Sequence, residues 1–177
     1  NGRPALGAGN SAGTALLVTH IATTTASLFW MLIEWKRFGR PSLVCIVTGM
    51  VAGLAKVTPP SGFIGVPGSL ILGLAGRAGC YLAVDLIRVK LQINVSLDMF
   101  SVHGVGGILG SLLVAFLALP TFGGLGLAES ISAGGQFMVQ LKSFVITVAW
   151  TAIASVIILM IVRMFGGLRV DAEVEVE

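Results

Sequence analysis

Few side chains in this sequence can carry acid–base, nucleophilic or metal chemistry: two histidines, His20 and His103, two cysteines, Cys45 and Cys80, and eight acidic residues. His103 stands in the run FSVHGVGGILG, with Gly104, Gly106 and Gly107 directly after it. A neutral imidazole offers one donor and one acceptor nitrogen. The glycines remove side-chain bulk around it, so the ring can project into a narrow apolar passage and pass a small polar solute along by single hydrogen bonds. An interhelical hydrogen bond without any transport role is the equal alternative on residue type alone. His20 is surrounded by Thr19, Thr23 and Thr24, which reads more readily as a helix–helix polar contact than as a pore group. Asp98, five positions before His103, stands where an acid caps backbone N–H groups and favours the helix N-terminal dipole, and it is expected as a structural anchor. Arg77 and Asp85 lie about two helical turns apart, and roughly 12 Å of rise keeps them from pairing directly. The cysteines sit inside apolar runs without metal or CxxC spacing and are expected to be small buried residues. There is no Ser-His-Asp set, paired carboxylate or metal-ligand cluster, so no enzyme, cofactor or metal site is expected.

The elements that position these residues follow from composition. The chain has 177 residues, 55% apolar and 11% charged, with a mean hydropathy of +0.97. A soluble domain carries about 25% charged residues, so there is too little charge to coat a water-facing globule. A soluble enzyme, a disordered chain and a nucleic-acid binder are excluded; the pI of about 9.2 comes from 11 scattered cations and not from a basic patch. Five apolar segments stand out, 12–33, a short one at 41–55, 66–89, 97–119 and 143–165, and several of them approach or exceed the roughly 20 residues that cross a bilayer. The expected fold is all-α, a polytopic membrane bundle of five helices occupying 1–165, with 166–177 as the start of a tail. Pairs of glycines four apart, Gly49 with Gly53 and Gly106 with Gly110, let helix backbones approach closely in lipid.

Five spans put the termini on opposite sides. Lys36, Arg37, Arg40, Arg88, Lys90, Arg163 and Arg169 fall on one side, against Arg3, Lys56 and Lys142 on the other. Cations favour the cytoplasmic side of short loops, so the N-terminus is expected outside and the C-terminus in the cytoplasm, in a multi-pass cell-membrane protein. Trp35 fits an interfacial anchor. The start NGRPALGAGN shows no signal peptide, and both ends read as a fragment cut from a longer chain. The tail VDAEVEVE is expected as a solvated stub, with docking to a cytoplasmic partner as the alternative.

The segment SLDMFSVHGVGGILGSLLVAFLA (96–118) resembles the signature helix of the ammonium transporter family. EWKRFGRPSLV (34–44), GMVAGLAKVTPPSGFIGVPGSLILG (49–73), GGLGLAE (123–129) and GGLRV (166–170) resemble the same family in the same order, nearest to its bacterial and archaeal branch. The resemblance implies the last five of eleven transmembrane helices, in an inverted-repeat transporter that assembles as a homotrimer and conducts ammonium or ammonia. His103 then matches the second member of a histidine pair in the pore, Asp98 the acid before it, and Gly104 and Gly107 the supporting pore helix. Asn1 matches the residue just after a gating Phe, and Arg3 and Pro4 replace a small-residue and Ser pattern at the outer site. The resemblance further implies membrane lipid and a PII-type cytoplasmic regulator as partners. A structural subunit of a membrane complex and a sensor built on the same fold are the alternatives.

Overall fold

A computed structural model describes residues 9–85 and 100–165, and in these residues every regular element is helical. The order is α1 (Asn10–Phe38), α2 (Leu43–Val57), α3 (Val66–Asp85), a π-turn (Phe100–Gly104) running directly into α4 (Val105–Leu117), a 3₁₀ turn (Pro120–Phe122) and α5 (Ala133–Phe165). Residues up to Gln140 form one compact unit, and residues from Leu141 onward form another.

In the first unit, α1 buries Ala15, Val18, Ala22, Thr23, Ala26, Ser27 and Trp30. The three- and four-residue spacing of these positions makes one helical face. Nearly all of them are small, which is what close backbone approach in lipid requires. α1 meets α2 and α3 along this face, and α4 in turn meets α2 and α3. Gly53 of α2 faces the α1 backbone so closely that a Cβ there would lie 2.8 Å from the Thr23 Cα. A Cβ on Gly110 of α4 would overlap the Lys56 carbonyl of α2. One apolar cluster joins Val18, Ala22, Val57, Ile64, Leu72 and Leu117; a second joins Trp30, Ala52 and Val102.

The segments differ from the expected spans in ways that local chemistry explains. α1 continues through Glu34, Lys36 and Arg37 to Phe38, because cations in a last turn favour the helix dipole. It ends where Gly39 takes φ 75° and donates its N–H to the Trp35 carbonyl at 2.9 Å. α2 starts after Ser42, whose Oγ accepts the Cys45 N–H. Lys56, read as the end of the second span, is instead fully buried in the last turn of α2. α5 begins ten residues before the fifth expected span, where Ser132 Oγ accepts the Gly135 N–H at 3.1 Å. Among the described helices, α1 and α5 are each long and apolar enough to cross a membrane alone. α2, with 15 residues, rises only about 22 Å, short of a roughly 30 Å hydrocarbon core. In the second unit no residue of α5 is buried.

Candidate functional site

His103 lies in the π-turn, between Val102, which is 2% exposed, and Gly104. A π-turn widens the helix by one residue and recurs at functional sites. Here it fixes two neighbours to opposite environments. Val102 locks into the cluster with Trp30 and Ala52, while the His103 ring stands exposed on the surface of the unit. The sequence pattern predicts an uninterrupted span over 97–119, and the extra residue in this turn is the difference.

The ring lines an apolar groove of about 400 Å³. Its other walls are Leu43, Val44, Val47, Thr48 and Val51 of α2, with Val102. Val44, Thr48 and Val51 recur at helical spacing and present one face of α2 to the imidazole. Among the described residues of that lining Thr48 carries the hydroxyl; it donates to the Val44 carbonyl at 2.9 Å, which leaves its oxygen lone pairs for a hydrogen-bond donor. Behind His103 the helix carries little bulk. Gly107 has open space where a Cβ would point, and a Cβ on Gly104 would touch the Phe100 ring at 3.0 Å. The described side chains of the groove therefore offer one imidazole, one hydroxyl oxygen and otherwise hydrocarbon: a lining suited to a small neutral solute with a few hydrogen bonds, and poorly suited to a bare ion.

The other singled-out residues fall elsewhere. His20 is exposed on α1, at the edge of its buried face beside Ser27. Cys45 is a half-buried free thiol in the first turn of α2 and not a core residue, because that turn sits beside the α1–α2 connection. Asn1, Arg3, Pro4 and Asp98 lie outside the described residues, as does the tail, and of the side chains of Arg77, Cys80 and Asp85 nothing is described. Thr48 was not singled out from sequence; the spacing of Val44, Thr48 and Val51 was the available signal, but nothing in one sequence says which face of α2 meets His103. A second cavity, about 290 Å³ and lined in part by Phe63, Gln136 and Gln140, contains none of the expected residues. Among the described residues no cluster of His, Cys, Asp or Glu could hold a metal.

Comparison with known proteins bears on this groove. A family model, the Ammonium Transporter Family, matches residues 1–177. The chain is 38% identical to an ammonium transporter of Aquifex aeolicus over its whole length, covering 42% of that protein. It is 38% identical to ammonium transporter Amt1 of Archaeoglobus fulgidus, with 99% of the chain and 44% of the relative covered. Among solved structures, Mep2 of Saccharomyces cerevisiae superposes with a TM-score of 0.79 at 31% identity, over 93% of this chain and 40% of that one. A structure described as a sensor Amt protein superposes with a TM-score of 0.86 at 25% identity, over 98% of this chain and 42% of that one. The chain thus spans well under half the length of these relatives. The all-helical membrane fold read from composition is the fold they share.

Proposed function

The chain belongs to the ammonium transporter family, and on that footing we propose that it supplies the last five of eleven membrane helices in a protein that conducts ammonium nitrogen across the cell membrane. The observation that carries this reading is the exposed His103 ring on the wall of an apolar groove. An imidazole turned to acyl chains at membrane depth is costly, and such groups face a bundle interior or a cavity. The relatives extend over more than twice the length of this chain, which supports a further part of the molecule as the groove's other wall.

In the closed passage, a bare ammonium ion would lose its hydration without a compensating charge, a penalty of several kcal/mol or more. Ammonium therefore gives up a proton at the mouth and crosses as ammonia. His103 and a second imidazole from the preceding part of the protein accept and donate hydrogen bonds along the way, and the pair relays the proton. Asp98 anchors the start of the pore helix, Gly104 and Gly107 keep it slim, and Asn1 stands beside the outer gate. The transmembrane domain covers 1–165 and the cytoplasmic tail begins at 166. The N-terminus of this segment is outside and its C-terminus is in the cytoplasm, as the basic connections imply. The molecule assembles as a homotrimer in the lipid bilayer, and a PII-type regulator meets its cytoplasmic tail.

Methylammonium uptake by the full-length protein tests this. His103→Ala at normal membrane abundance is expected to change rate or selectivity, and uptake unaltered in both respects would overturn the pore role. The likeness to a sensor Amt protein over 98% of the chain supports a second reading, a sensor on the same fold, which a signalling domain following Glu177 in the intact protein would favour.

A further inference from the structure

The buried face of α1 is a stripe of small residues with one large exception. From Ala15 to Ser27 its buried positions carry nothing larger than valine, and the stripe then ends on Trp30, which is 6% exposed. α2 is pressed against the root of this side chain: a Cβ on Gly49 would lie 2.9 Å from the Trp30 Cβ. The indole is a large, rigid body, so it holds its neighbours at a set distance. Ala52 and Val102 form one cluster with it, and Cys45 and Val51 pack against that cluster.

Two of these residues serve twice. Val51 and Val102 also line the groove beside His103, so the Trp30 cluster stands directly behind part of the groove wall. His103 follows Val102 in the π-turn, and successive residues of a helical turn point to different sides at a fixed angle. The direction in which Val102 is held therefore decides where the imidazole points. Gly104, the next residue, has no side chain with which to brace the turn. Loss of the indole would leave a cavity behind both valines. Surrounding groups relax into such a cavity only in part, and even a small shift matters to a ring that must meet a solute at the roughly 3 Å of a hydrogen bond.

We infer that Trp30 is a positioning residue: by filling the space behind Val51 and Val102 it fixes the direction of the His103 imidazole and the width of the groove, and so sets the preference for ammonia over its methylated form. Trp30 itself is not part of the groove lining; it acts through the residues that are. A shaped apolar site discriminates one extra methyl group by roughly tenfold or more, and that discrimination is lost when the walls can move. The inference rests on the conduction reading above and adds to it the residue that holds the passage in shape.

The test uses the intact protein in liposomes, supplied with ammonium or methylammonium at equal concentration, and takes the ratio of the two initial rates of internal pH change. A ratio does not depend on how much protein has folded, so a merely structural role leaves it unmoved. Trp30→Leu is expected to raise the methylammonium-to-ammonium ratio by about threefold or more, whereas Trp30→Phe, which keeps a ring against Val102, stays within about twofold of the native ratio. Trp35→Leu, at a tryptophan that is 54% exposed and outside the cluster, is expected to leave the ratio unchanged. If Trp30→Leu does not reach the membrane, Val102→Ala removes the other half of the packing and is expected to raise the ratio in the same way. An unchanged ratio in Trp30→Leu, or in Val102→Ala in its place, would overturn the inference, as would an equal rise in Trp35→Leu. His103→Ala is measured alongside. If it alters rate or ratio while Trp30→Leu alters neither, the positioning role falls and the conduction reading stands; if His103→Ala alters nothing, the conduction reading falls and the inference falls with it.

Discussion

At the residue scale, glycines decide whether the helices meet. Gly110 leaves room for the Lys56 carbonyl, so Gly110→Ala must part α2 from α4 or shift a backbone that cannot give way cheaply. Such overpacking costs typically 1–3 kcal/mol, and a thermal melt of the purified protein should show the loss. Gly13, with nothing within 4 Å of a Cβ, is the control; Gly13→Ala should leave the melt unchanged or raise it, because alanine is favoured over glycine within a helix by roughly 0.5–1 kcal/mol. The close approach was legible in the sequence from the spacing of Gly49 with Gly53 and of Gly106 with Gly110. Its partners were not. That Gly53 packs on Thr23, and Gly110 on Lys56, depends on the rotation of each helix about its own axis, and with small residues on several faces no single stripe fixes that rotation. His103 is a similar case: its type marked it out, but its direction is set by the π-turn, a widening with no residue signature of its own.

At the scale of elements, the ends of the helices are where chemistry and sequence pattern part. Charge was read as the end of α1 and α2, yet Lys36 and Arg37 complete the α1 helix and Lys56 is buried in α2. The true stops are conformational, the positive φ of Gly39 and the turn through Pro59 and Pro60 after α2. The uncharged run 143–165 starts only after Lys142, yet α5 begins at Ala133, because a helix carries a single cation and the Ser132 hydroxyl accepts the Gly135 N–H at its start. The α1–α2 connection gives a direct check on capping. Ser42 both accepts from the Cys45 N–H and donates to Glu34. Ser42→Ala should therefore destabilise the start of α2 by about 1 kcal/mol, read as faster hydrogen exchange at the Cys45 amide, while exchange in the middle of α1 stays as it was. Equal exchange at Cys45 in both proteins would show that the cap contributes nothing there.

At the scale of the whole molecule, the all-helical membrane class followed from charge and hydropathy alone, and the shared fold of the solved relatives agrees with it. The number of spans was less legible. α2 is too short to cross by itself, so the length of an apolar run was a poor ruler where turns and breakers continue the path through the bundle. Among the described residues the groove beside His103 is lined by α2 and the π-turn, and on the reading proposed above the rest of the protein closes the passage around it. Liposomes holding only residues 1–177 should accordingly show no ammonium-dependent change in internal pH, while liposomes with the intact protein should. A pH change of equal size from residues 1–177 alone would mean that this segment encloses its own path.

The most direct measurement is a structure of the intact protein in lipid, resolved well enough to place the His103 ring. The expected result is an enclosed apolar lumen bounded on one side by His103, Thr48 and Val51, with a second imidazole within hydrogen-bond reach, about 3 Å, of His103. A ring packed against acyl chains, with no lumen beside it, would contradict the reading of this segment as half of a conducting pore.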